Sequence, residues 1–257
     1  MKNSDRIWRW SSFVIVKLSG SGFAIALLAL YILHSSSYDL YTFSEYLSSP
    51  FLWIVFYAYG IICSFLIDFL AYCFPKVISK LKFVLYILAG FAIFMFQGNA
   101  MIAIIAGIVG ALCALLFYVG TMMSHRNRLF KYGFAFMIPL VILILLSFDF
   151  TEKRNWNETR TDSTYEASFA YFNGKHEIPI EVGKGETFTF RIVVKNDNGG
   201  GHGYHVRTDD QSMVPMGKPG ADKYSIHSEE GGTYRIVVTG DQLKGSIRVD
   251  WEVTDEM

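Results

Sequence analysis

The residues Tyr132–Phe150, YGFAFMIPLVILILLSFDF, form the last long apolar run of the chain and divide it into two kinds of sequence. Apolar runs dominate before it, and short alternating segments with polar turns follow it. The run is about the length needed to cross a hydrocarbon core. Arg126, Arg128 and Lys131 precede it and Asp149 and Glu152 follow, the charge order of a helix leaving the cytoplasm. Pro139 lies inside it, which a membrane helix tolerates better than a soluble one because neighbours re-satisfy the freed backbone groups.

The formal net charge of zero conceals a split. Residues 1–149 carry 10 Lys and Arg against 5 Asp and Glu, whereas residues 150–257 carry 13 against 18. A basic apolar half joined to an acidic polar half implies two environments. Neither half has a dense basic patch with interleaved aromatics, so nucleic acid is not an expected partner. Cys63, Cys73 and Cys113 all lie in apolar runs, where they read as small buried hydrophobes rather than as a redox or zinc set.

Five spans are expected within residues 1–150, at about 13–33, 51–74, 81–96, 101–123 and 132–149. The first follows Lys2, Arg6 and Arg9 and reads as uncleaved, because HSSSYDLY and no small-residue cleavage motif comes after it. Residues 34–50 read as a polar loop, and Gln97-Gly98-Asn99 as a short turn. Lys76, Lys80 and Lys82 then fall on the same side as Arg126, Arg128 and Lys131, with the N-terminus cytoplasmic and the C-terminal domain extracellular. The third span is the shortest, but without it the charge rule breaks.

Two ionisable residues sit within the spans. Lys17 and Asp68 are each roughly two turns from the cytoplasmic side and would stand at one depth on antiparallel helices. Such groups pair, snorkel or serve an ion pathway. In the fourth span Ala103, Gly107 and Ala111 recur every four residues, as do Ala106, Gly110 and Ala114. Ridges of this kind let helix backbones approach closely. Ser19-Gly20-Ser21-Gly22 of the first span is their natural partner within the chain, and a homo-oligomer would use the same ridges.

Residues 151–163 read as a linker, in which Asn157-Glu158-Thr159 fits a glycosylation sequon. Seven strands are expected beyond it: Glu166–Phe172, Glu177–Val182, Thr187–Lys195, Tyr204–Thr208, Lys223–His227, Thr233–Thr239 and Ser246–Val253. Phe188, Phe190, Ile192, Tyr234, Ile236, Ile247, Val249 and Trp251 fall on apolar faces, which makes residues 164–257 an all-β sandwich. The segments EIPIEVGKGETFTF and GGTYRIVVTGDQLKGSIRVDWEV resemble the small extracytoplasmic β-sandwich modules of Gram-positive bacterial surface proteins. The resemblance covers about ninety residues and none of the apolar half. It implies a cell-surface setting and brings no catalytic residues.

His202, His205, Met213 and Met216 form a histidine and thioether set of the kind that suits copper, although the cysteine of a blue-copper centre is absent. Ordinary loop residues account for the same pattern. Asp209-Asp210 stands near His205, but no GxSxG, HExxH, P-loop or EF-hand spacing occurs. The chain therefore reads as a non-enzymatic, cofactor-free, multi-pass protein of the cell membrane, in contact with the lipid bilayer. Its outer sandwich would bind a membrane or cell-surface protein or an envelope component. Two alternatives remain: a small transporter or transporter accessory using Lys17 and Asp68, and an extracytoplasmic copper-binding protein.

Overall fold

The computed structural model describes residues 2–95, 99–220 and 223–255. The chain forms two compact units, Met1–Asp149 and Phe150–Met257. Gln97 and Gly98 of the expected short turn, and the end of the expected third span at Phe96, lie outside the described residues.

The first unit is helical. Its helices are α1 Lys2–Ser35, α2 Leu40–Leu47, α3 spanning residues 50–73, α4 Pro75–Ala92, α5 Ala100–Arg126 and α6 spanning residues 128–145. Their starts are written in the sequence. Asp39, Asn99 and Asn127 each accept backbone N–H groups at the head of α2, α5 and α6, while Pro50 and Pro75 occupy first-turn positions where no N–H is needed. Two π-helical segments interrupt the regular winding, Ile54–Tyr59 in α3 and Gly133–Met137 in α6. The second ends just before Pro139, which has no N–H to offer to the carbonyl four residues earlier.

The segment read as a polar loop contains α2, because its Asp39 cap and the apolar pair Phe43 and Leu47 place one turn's face in the core. Among the described residues four stretches are long and apolar enough to cross a membrane: Ser11–Ser35, Pro50–Cys73, Ala100–Arg126 and Arg128–Leu145. The expected third span is not among them. It falls in α4, whose first half carries Lys76, Lys80 and Lys82 and leaves only about ten apolar residues.

Among the described residues the second unit is a nine-stranded antiparallel sheet. The strands are β1 Glu152–Arg154, β2 Asn157–Arg160, β3 Thr164–Val182, β4 Glu186–Asn196, β5 Gly201–Arg207, β6 Met213–Val214, β7 Gly217–Gly220, β8 Lys223–His227 and β9 Gly232–Asp255. β3 and β9 pair from Thr164↔Asp250 to Val182↔Gly232, with register shifts near Phe172. On one side of the shift β9 continues to β4, and on the other to β5. Two layers thus share their two longest strands, and Phe188, Phe190, Ile247, Val249 and Trp251 of one meet Ile178, Ile180, Val206 and Ile236 of the other in a single core.

Two readings change here. The two pairs of strands expected on either side of residues 173–176 and 240–245 are single bent strands, because pairing continues through the glycines that look like turn signals. Gly245, at φ +144, lies so close to Lys195 O that a Cβ would meet it at 1.9 Å. The expected linker is also part of the fold, since β1 and β2 pair with β3. Its polar composition reflects an exposed edge of the sheet.

Candidate functional site

The helical unit is organised around Ser19-Gly20-Ser21-Gly22 of α1. The Ser19 hydroxyl lies 2.7 Å from that of Ser124 on α5. Ser21 donates to Phe56 O in the π-segment of α3 at 2.8 Å. A Cβ on Gly20 would meet Thr121 and Phe117 O on α5. A Cβ on Gly22 would fall 1.7 Å from Phe134 O, in the π-segment of α6. The small-residue ridges of α5 face elsewhere. A Cβ on Gly107 would meet the Phe91 ring, and one on Gly110 would meet Gly90 O and Phe94. Ala114 closes on Gly90, while Ala103, Ala106 and Ala111 are half-buried. The ridge partner is therefore α4 rather than α1, and α1 packs one to two turns further along α5, at Gly120 and Thr121.

Below this junction stands the charged cluster. Lys17 Nζ donates to Asp68 Oδ2, and Lys82 Nζ lies 2.6 Å from the other carboxylate oxygen. The Lys17 side chain is 4% exposed, that of Asp68 19% and that of Lys82 28%. The Phe13 ring lies under the Lys17 ammonium at 5.0 Å. These groups, with Thr121 and His125, line a recess of about 560 Å³. One carboxylate is thus shared by two cations. By sequence Lys82 belongs to the basic turn after the second span. Its signal was present: Asp68 and Lys82 stand at comparable distances on either side of the turn at Phe74, which brings them level on the α3–α4 hairpin.

In the β unit the histidine and methionine set does not converge. His202 and His205 are three apart on β5 and so point to opposite faces. Arg207 Nε donates to His205 Nε2 at 2.7 Å, which occupies that ring nitrogen. Burial and the Arg207 charge push the His205 pKa down. Met213 is exposed, and Met216 packs against the core. Among the described residues no three His, Cys, Asp or Glu side chains are grouped to hold a metal ion.

A different cluster lies on β1, β2 and the facing part of β3. Glu158 Oε2 accepts from Tyr165 Oη at 2.6 Å and from Trp156 Nε1 at 2.7 Å. Lys153 Nζ donates to His176 Nδ1 at 2.7 Å and sits 4.5 Å above the Trp156 ring. The His176 ring lies 5.2 Å from that of Tyr165 and 5.0 Å from that of Trp156. The two donated hydrogen bonds hold the Glu158 carboxyl below its usual range, and burial with the Glu158 bond pushes the Tyr165 hydroxyl up. Burial, then the Lys153 ammonium, pushes His176 down to about 4. His176 is therefore a neutral acceptor at pH 7. Tyr165 Oη, Trp156 Nε1, Lys153 Nζ and His176 Nδ1 are all engaged within the cluster, which makes it a clamp that fastens β1 and β2 to the core. The sequence offered little to find it, because Lys153, Trp156 and Glu158 lie in the expected linker, Tyr165 just before the first expected strand and His176 in the expected gap between strands.

The molecule thus combines an apolar helical unit holding a charged recess with an antiparallel β unit. No family model matches the sequence, and no curated protein matches it. Among solved structures, PliG of Aeromonas hydrophila, a periplasmic inhibitor of g-type lysozyme, is 16% identical, covers 38% of this chain and 89% of its own, and has a TM-score of 0.27. At that score the likeness carries no argument for fold or function.

Proposed function

We propose that the protein is a multi-pass component of a bacterial cell membrane that performs no bond chemistry of its own. Its β unit, on the outer side, binds a protein or envelope partner. One observation supports the reading most. Exposed large apolar side chains crowd the helical unit, from Val14 through Phe148, whereas among the described residues of the β unit they are Val193 and Met213. The first surface suits lipid and the second suits water. Five crossings are part of this proposal. If α4 did not cross, Arg126, Arg128 and Lys131 would lie opposite Lys76, Lys80 and Lys82, against the charge rule.

Ser163 is exposed in the β unit, and Cys73 is exposed where α3 ends. In intact cells a membrane-impermeant maleimide should label Ser163→Cys, and should reach Cys73 only once the membrane is opened. The reverse pattern overturns the orientation. For the binding role, a photo-crosslinking residue at Met213 should join the protein to a defined envelope species. Crosslinks that persist with a scrambled β unit, or none at any exposed β position, would remove that part of the reading.

A further inference from the structure

Four helices meet at the charged recess: α1 brings Lys17, α3 Asp68, α4 Lys82, and α5 Tyr118, Thr121 and His125. Its charges do not balance, because both ammonium groups answer to the one Asp68 carboxylate. Among the described residues no other carboxylate of the helical unit is placed to help. Residues 1–149 hold five acidic residues. Asp39 and Glu45 lie past the opposite end of α1, at the head of α2 and within it. Asp149 follows the far end of α6. Asp5 precedes Lys17 by twelve residues, roughly 18 Å along α1. At the near end of α6, Lys131 adds a further ammonium beside α1, where it donates to Ser12 Oγ at 3.1 Å. Ser12 directly precedes Phe13, whose ring lines the recess.

We infer that the recess binds a phosphate-type oxyanion between Lys17 and Lys82. A buried cation without a counter-charge is costly, so the surplus ammonium favours an anion beside it. Each ammonium carries three N–H groups, and the contacts to Asp68 use one of each. Lys17 is held in place, its side chain 4% exposed and the Phe13 ring 5.0 Å from its nitrogen. The recess reaches the surface, since Tyr72 in its lining is 85% exposed. Its volume of about 560 Å³ is that of an ordinary ligand site and far exceeds a bare halide. Tyr118 and His125 bring an O–H and a ring N–H to the lining, which suits an anion with several oxygens. A phosphate group reaches such a site either from solution or as a lipid headgroup, and the recognising chemistry is the same. The inference concerns the helical unit and does not depend on what the β unit binds.

The test uses the full chain purified in a neutral detergent. Melting is followed with inorganic phosphate, short-chain phosphatidylglycerol, short-chain phosphatidylcholine, or sodium chloride at matched ionic strength. Phosphate or phosphatidylglycerol should raise the melting temperature by at least about 3 °C at saturation, with little change from the other two. A rise with inorganic phosphate assigns a soluble source, and a rise with phosphatidylglycerol alone assigns a headgroup. Lys82→Gln should abolish the rise and Lys82→Arg should keep it. Lys82→Gln is the deciding variant, because it sits at a partly exposed position and leaves the deeply buried Lys17 paired with Asp68. No rise with either phosphate source, or an equal rise with chloride, overturns the site. So does equal stabilisation by both lipids without an effect of phosphate, which traces the gain to the acyl chains. A rise that survives Lys82→Gln puts the anion elsewhere and overturns the assignment to this recess.

Discussion

The two units reach close packing by opposite means. In the helical unit the tight contacts are made by what is absent: Gly20, Gly22, Gly90 and Gly110 bring backbones together where a single Cβ would collide. In the β unit they are made by what is present: Phe172, Phe188 and Phe190 fill the interior and are almost fully buried. Hydrophobic burial accounts for the second arrangement, since removing aromatic area from water drives the layers together. In the proposed membrane setting it does little for the first, because lipid is as apolar as the protein and close contact itself supplies the attraction. The same substitution logic should therefore fail when carried from one unit to the other: added atoms harm the helices and removed atoms harm the sheet.

The largest effect is expected at Gly22. Gly22→Val places a side chain against the Phe134 carbonyl, which cannot yield without shifting the π-segment. No monodisperse protein should be recovered by fluorescence-detected size exclusion. Recovery at wild-type yield would break the comparison on the helical side. Next are two changes of about 3–5 kcal/mol. Trp251→Ala should cost that much in urea unfolding of a fragment covering residues 150–257. Asp68→Leu should cost a similar amount because the buried Lys17 ammonium and the half-buried Lys82 ammonium lose their shared partner. It should be read as thermal stability in detergent, with Asp68→Asn milder.

A smaller effect concerns pH. His176 titrates at about 4 when folded and near 6.5 otherwise, so the unfolded chain binds more protons between those values. Stability of the β unit should be full above about 6.5 and fall as the pH drops toward 4, by up to roughly 3 kcal/mol. Glu158, with its lowered carboxyl pKa, adds a loss of the same sign only at lower pH. His176→Gln should flatten the slope between pH 6.5 and 4.5, and an unchanged slope would mean that the clamp does not control it. The smallest effect is at Val193, which is 45% exposed on the sheet. Val193→Thr should stay within about 0.5 kcal/mol.

Much of the architecture was legible because solvent leaves periodic marks. Long apolar runs marked the helices, and alternation marked the inward faces of β4 and β9, where Phe188, Phe190, Ile247, Val249 and Trp251 all join the core. Lys17 and Asp68 were visible because a charge inside an apolar run is conspicuous. Lys82 was not, since the same charge at the edge of a run looks like a flank. Whether α4 crosses was obscured for the same reason. The clamp of Lys153, Trp156, Glu158, Tyr165 and His176 was hidden because its partners meet only through strand pairing, and exposed polar strands carry no apolar period. The bends in β3 and β9 were hidden because Asn173-Gly174 and Gly245 are the same residue types that end strands elsewhere.

The central place of β9 sets an order of events during synthesis. β9 pairs with β3 along most of its length and with β4 and β5 on its other edge. It also leaves the ribosome after every other strand of the unit. Until it arrives, β3 can pair with β1 and β2 and β4 with β8, but the strand that lies between β3 and β4 is missing, and the contacts it makes span much of the domain's sequence, which slows closure. On the proposed outer location, the β unit would cross the membrane as an open chain and fold on the far side in one late step. Chaperones and proteases that meet it on the way encounter several unpaired strand edges rather than a half-built domain.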